Sequence, residues 1–136
     1  MSYAGDVSPA EAYAAVTGSD QPVLVDVRTR AEWTYVGVPQ LVQGRAPLLV
    51  EWQHYPDGRI NDTFLDELRA AGVEEGTPVY FICRSGARSV AAAEAATAAG
   101  LGPAYNVLEG FEGPHGADGH RTVGGWKAAG LPWAQG

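Results

Sequence analysis

Cys83, Arg84 and Arg88 are the residues of this chain whose types and spacing best suit chemistry. Cys83 is the only cysteine among 136 residues, and the polar stretch Arg84-Ser85-Gly86-Ala87-Arg88 follows it directly. An unbroken apolar run, Val79-Tyr80-Phe81-Ile82, leads into the cysteine, and an alanine-rich run from Val90 to Ala99 follows the arginines and ends at Gly100. The first run is short, β-branched and aromatic, with Pro78 at its entrance, which predicts a buried parallel strand. The second has high helix propensity, and Gly100 suits the position just past a helix end. Cys83 is therefore expected at the carboxyl end of a strand, with a loop of five residues and then a helix N-terminus beyond it.

That placement favours a reactive sulfur. Backbone N–H groups of the loop and first helical turn lack intrahelical partners and point at any anion resting there. The helix dipole adds partial positive charge, and Arg84 and Arg88 are expected to add full charges. Thiols in such surroundings ionise readily, and the thiolate is the nucleophile. A lone cysteine at the end of an apolar strand is ordinarily a small buried hydrophobe. Two flanking arginines, a glycine and a following helix argue for the nucleophile instead.

The segment Cys83-Arg84-Ser85-Gly86-Ala87-Arg88-Ser89 resembles the active-site loop of rhodanese-type sulfurtransferases. The resemblance extends to Val25-Asp26-Val27-Arg28 with Glu32-Trp33, to Asn106-Val107-Leu108-Glu109-Gly110-Phe111, and to Gly125-Trp126 through Gly130-Leu131-Pro132. It covers nearly the whole chain, about residues 5–134. It implies a sulfurtransferase in which Cys83 takes the outer sulfur of an anionic donor such as thiosulfate, becomes a persulfide, and passes the sulfur to cyanide or a thiol. In that reading the loop from Arg84, Ser85 and Gly86 to Ala87 and Arg88 binds the substrate. Its backbone amides stabilise the persulfide and the departing sulfite, and its two arginines orient the donor. Cys-based phosphatases place one more residue between cysteine and arginine than the four found here, so the tighter cradle matches the sulfurtransferases. The alternative is a persulfide relay or protein-binding module with little small-molecule turnover.

Composition sets the frame for this chemistry. One domain spanning residues 1–136 is long enough to bury about two-thirds of its unfolded surface in a single core. A net charge of −7 argues against nucleic acid as a partner, and makes two arginines beside the cysteine a local exception suited to a small anion. No apolar run approaches transmembrane length, and the N-terminus lacks the basic and apolar regions of a signal peptide. One cysteine forbids an intramolecular disulfide and any Cys-based zinc cluster. These features point to a reducing cytoplasm and call for no cofactor or metal. With no resolving cysteine, a persulfide on Cys83 must leave by transfer to an external acceptor, small-molecule or protein.

The remaining elements must position that loop. Ser8-Pro9-Ala10-Glu11 is a capping box opening a helix that stops near Gly18. Pro22 to Arg28 reads as a strand, and Thr29 to Glu32 repeats the capping pattern for a short helix through Trp33 and Tyr35. Asp26 and Arg28, at a strand's carboxyl end, either line the pocket or serve the fold. The second reading is favoured, with Asp26 capping a neighbouring loop and Arg28 pairing with Glu32. Val36 to Leu41 departs from the family, whose members commonly carry Gly-His-Ile there. Arg45 to Val50 reads as another strand, Asp62 to Ala71 as a helix closed by Gly72, and Pro103 to Leu108 as the last strand. Glu51 to Asn61 is an aromatic loop that either walls the pocket or tucks Trp52 and Tyr55 onto the core. His54, and His115, Asp118 and His120 in the glycine-rich stretch, lack metal-ligand spacing. Thr122 to Ala129 is expected to be a closing helix, with Leu131-Pro132-Trp133 packing the tail back. Strands alternating with helices predict an α/β fold with a parallel sheet. The resemblance specifies a rhodanese-like domain with a central five-stranded parallel sheet flanked by helices on both faces.

Overall fold

The computed structural model describes residues 3–18, 22–35, 37–39, 47–53, 59–83, 87–108, 110–111, 126 and 129–134. In chain order the strands are β1 (Gly5–Val7), β2 (Val23–Asp26), β3 (Val38–Pro39), β4 (Leu48–Leu49), β5 (Glu75–Ile82), β6 (Gly102–Val107) and β7 (Trp133–Ala134). The helices are α1 (Pro9–Thr17), α2 (Arg30–Tyr35), α3 (Phe64–Ala70) and α4 (Ala87–Ala98). Five strands form one sheet in the order β1-β6-β5-β2-β4, all neighbours parallel. β5, the strand that ends just before Cys83, is its middle strand. β3 and β7 pair antiparallel as a separate ribbon.

Side chains alternate between the two faces of a strand, and the core divides accordingly. Val79, Phe81 and Cys83 share one cluster with Phe64 and Leu68 of α3 and Ala92, Ala93 and Ala96 of α4. Leu24, Ile82 and Val107 share the other with Ala12 and Val16 of α1, Phe111 and Trp126. The alanines explain how α4 reaches the sheet: Ser89, Ala92, Ala93 and Ala96 lie at helical spacing and are all fully buried. With nothing beyond Cβ on the three alanines and a single hydroxyl on Ser89, the helix axis comes close to β5 and β6.

Local chemistry sets the element ends. The Ser8 hydroxyl accepts the Glu11 amide at 3.1 Å, and the Glu11 carboxylate accepts the Ser8 amide at 2.9 Å, completing the expected capping box. Thr29 and Glu32 repeat it at α2, the Thr29 amide donating to Glu32 Oε1 at 3.1 Å. Gly72 follows α3 with φ 98° and Gly100 follows α4 with φ 80°, left-handed positions that glycine takes at little cost.

Several boundaries differ from expectation. β1 was not foreseen, because three residues carry too little periodicity. Its pairing with β6, Asp6 opposite Asn106, is long-range. β5 begins at Glu75 rather than Val79, with Pro78 inside it and an irregular register between Glu75 and Val79. A proline is tolerated at such an irregularity. α4 begins at Ala87, so Arg88 and Ser89 sit in its first turn and not in a loop. The closing helix predicted over Thr122–Ala129 falls mostly outside the described residues. Within it Trp126 is helical and fully buried, donating from Nε1 to the Pro132 carbonyl at 2.7 Å. Trp133 does bring the tail back, pairing with Pro39.

Candidate active site

Cys83 lies one residue past β5, in the middle of the sheet, and is 1 % exposed. Its carbonyl accepts the Phe111 amide at 2.7 Å, which pins the strand end to the segment after β6. Its Sγ stands 3.3 Å from Ser89 Oγ of α4. The strand-to-helix placement expected from sequence is therefore present. Arg84, Ser85 and Gly86 lie outside the described residues, as do His54, Tyr55, His115, Asp118 and His120.

Arg88 is committed to another partner. Its Nη1 and Nη2 donate to Glu32 Oε1 and Oε2 at 2.7 and 2.8 Å, a two-pronged bond between α4 and α2. Burial pushes Glu32 up, but the Arg88 guanidinium and the amide and hydroxyl of Thr29 outweigh it and hold the carboxyl at about 2. The bond to Glu32 likewise raises Arg88 above its ordinary value. The sequence counted Arg88 as a free positive charge beside the thiol. In the fold it belongs to an ion pair with Glu32, held in the first turn of α4 and still close enough to Cys83 to interact with it electrostatically.

Arg28 does not pair with Glu32 as expected. Its Nη2 lies 2.7 Å from Asp26 Oδ2 and its Nε 3.0 Å from Asp26 Oδ1, with both side chains fully excluded from solvent. Nη2 also donates to the Gly37 carbonyl at 2.6 Å, and the guanidinium lies 4.3 Å over the Phe111 ring. Strand alternation puts Asp26 on the face opposite Val25 and Val27, which share the Cys83 cluster. The pair thus serves the fold and stands across the sheet from the sulfur. Its partner was misjudged because spacing within the chain does not reveal that Glu32 faces α4.

Trp52 packs edge-on against Phe64 at 5.1 Å, and a bridge between Gln53 and Ile60 closes the segment, so this described part of the aromatic loop covers the core.

Sequence reasoning assigned no role to Ser89, Asn106 or Asp6, which join the sulfur to the sheet edge. Ser89 Oγ donates to Asn106 Oδ1 at 2.5 Å, and Asn106 Nδ2 donates to Asp6 Oδ1 at 3.1 Å. A signal was available: a polar Asn within an apolar central strand, and a Ser on an alanine stripe, both require buried partners.

A parallel five-stranded sheet, helices on both faces and a lone cysteine where the middle strand meets a helix define the class of protein. The Rhodanese-like domain family matches residues 8–116, and the chain belongs to it. The crystal structure of Rv0390 from M. tuberculosis is similar at TM-score 0.89 and 54% identity, covering 98% of this chain and 99% of that one. The solution structure of a polysulfide-sulfur transferase homodimer from Wolinella succinogenes shares the fold at TM-score 0.64 and 21% identity, over 95% of this chain and 77% of that one. An uncharacterized protein of Rickettsia rickettsii is 36% identical over 132 residues, covering 94% of this chain and 95% of its own. Among the described residues no helix is long and apolar enough to cross a membrane.

Proposed function

We propose that this protein is a sulfurtransferase of the thiosulfate type, working through a persulfide on Cys83. The observation that carries the reading is the position of Cys83, between the middle strand of a rhodanese-like sheet and the N-terminus of α4. The Cys83 thiolate attacks the outer sulfur of thiosulfate. An S–S bond forms to Cys83 as the donor's S–S bond breaks, and sulfite leaves with the bonding electrons. Cyanide or a thiolate then attacks the outer sulfur of the persulfide, the new bond breaks, and the Cys83 thiolate is restored. No cofactor enters the cycle, and electrons and charge balance at each step.

The amides of residues 84–88 are assigned to the persulfide anion and the departing sulfite, an oxyanion-hole role. Arg84 is assigned to direct contact with the donor. Arg88, held by Glu32, acts by anchoring the first turn of α4. The domain is proposed to work in the cytoplasm on small anionic donors.

The test is thiocyanate formation from thiosulfate and cyanide by the native protein and by Cys83→Ser. The proposal expects turnover in the first and none in the second, with equal thermal stability. Turnover retained in Cys83→Ser would overturn it. Persulfide loading with negligible turnover would favour the relay reading instead.

A further inference from the structure

Where α2 meets the short strands β3 and β4, the surface holds a hollow that the chemistry above does not use. Arg30, Trp33 and Thr34 of α2, Val38 of β3 and Leu49 of β4 line a volume of ≈ 450 Å³. Small-molecule sites commonly span roughly 300–1,000 Å³. The hollow is not part of the sulfur site. Leu49 is the register partner of Asp26, so it points to the sheet face opposite Cys83. Val38, Leu49 and the Trp33 ring make apolar walls, and Leu49 is left 45% exposed on the last strand of the sheet. The polar groups are nearly all donors. A guanidinium and an indole N–H can only donate, and the Thr34 hydroxyl alone does both. Trp33 Nε1 is enclosed with no hydrogen-bond partner, an arrangement that folded proteins rarely leave. Arg30 is exposed, and no described carboxylate pairs with its guanidinium. Glu51 accepts from the Arg30 backbone amide instead, at 2.9 Å, and does not line the hollow.

We propose that this hollow binds a small carboxylate carrying one aromatic or branched apolar group. The apolar group lies against Trp33, Val38 and Leu49, and the carboxylate takes the donors of Arg30 and Trp33. Walls that only donate select a ligand that accepts. The Arg30 charge, in a chain of net charge −7, selects an anionic one. The apolar walls select against small inorganic anions such as thiosulfate and sulfite, which have nothing to bury there. Five lining residues are too few for a protein partner, whose interface takes roughly 20–30 residues a side. The ligand is therefore a free small molecule. Nothing in this binding depends on sulfur transfer at Cys83.

Phenylacetate is the probe, titrated into the whole protein and followed through the indole N–H signals in ¹H–¹⁵N spectra. The chain has four tryptophans, and the Trp33 signal is the one missing from Trp33→Phe. Phenylacetate should shift that signal saturably, and acetate at the same concentrations should leave it in place. Benzyl alcohol, which keeps the ring and lacks the charge, should bind about tenfold more weakly. Arg30→Gln should weaken phenylacetate by about the same factor and leave benzyl alcohol unchanged, and Leu49→Asp should abolish binding of phenylacetate. Arg30 and Leu49 are both exposed, so neither variant disturbs the core. A Trp33 signal that phenylacetate does not move would overturn the proposal. So would equal affinity in Arg30→Gln, or a shift that survives Leu49→Asp. Shifts confined to the residues around Cys83 would place the anion at the sulfur site and overturn it equally.

Discussion

At the scale of single residues, the site depends on which charges are spent and which remain available. Glu32 and Arg88 neutralise each other across α2 and α4, and against the cost of burial Arg88 and Thr29 together hold the carboxyl at about 2. The carboxyl ordinarily titrates at 4.5. The fold thus holds this proton more weakly than the unfolded chain does. The stability it contributes is fully present above pH 4.5 and is lost as the pH falls toward 2. Glu32→Gln should cost about 2 kcal/mol near neutrality, after discounting for screening at a partly exposed pair. Urea denaturation at several pH values would show the gap to the native protein closing on the acid side, and a gap independent of pH would count against the pairing. The two arginines should also separate kinetically. Arg84→Ala should raise the apparent KM for thiosulfate about tenfold or more with the fold unchanged, whereas Arg88→Ala should lower Tm. Equal Tm values and equal KM values for both would remove this division of roles.

At the scale of elements, much of the fold was legible because its signals are local. The Ser8–Glu11 and Thr29–Glu32 boxes mark their helices, the Val79–Ile82 run marks the middle strand, and Gly72 and Gly100 end α3 and α4. What escaped depended on distant partners: β1 exists because β6 lies beside it, and the β3–β7 ribbon because the tail returns. The same holds within the site. The position of Cys83 followed from strand and helix signals, but the Arg88–Glu32 pair spans 56 residues and the Asn106–Asp6 contact 100. The alanine run of α4 reads as helix propensity in the sequence, and its second meaning appears only on the sheet. Ala93 is fully buried on the stripe that meets β5 and β6. Ala93→Leu should therefore destabilise by about 1–3 kcal/mol through overpacking, although leucine propagates a helix nearly as well. Thermal unfolding checks this, and an unchanged Tm would mean that α4 does not sit close to the sheet.

At the scale of the whole molecule, two cores meet back to back through the sheet, and each has a different polar group near the carboxyl ends of the strands. One holds Cys83 with Ser89 and Asn106. The other holds the Asp26–Arg28 pair, which joins β2 to the Gly37 carbonyl and to the Phe111 ring. Phe111 also bonds the Cys83 carbonyl, so it links the buried pair to the end of the middle strand. Asp26→Ala should leave a buried guanidinium uncompensated and cost about 3–5 kcal/mol. The double replacement Asp26→Ala with Arg28→Met should recover much of that loss. A double variant no more stable than the single one, by chemical denaturation, would contradict this account of the pair.

The most direct test of the central claim is the intact mass of the native protein after incubation with thiosulfate, and again after cyanide is added. The account predicts a gain of one sulfur atom, absent in Cys83→Ser, and its removal by cyanide with release of thiocyanate. A native protein that gains no sulfur, or one that gains it equally without Cys83, would contradict it.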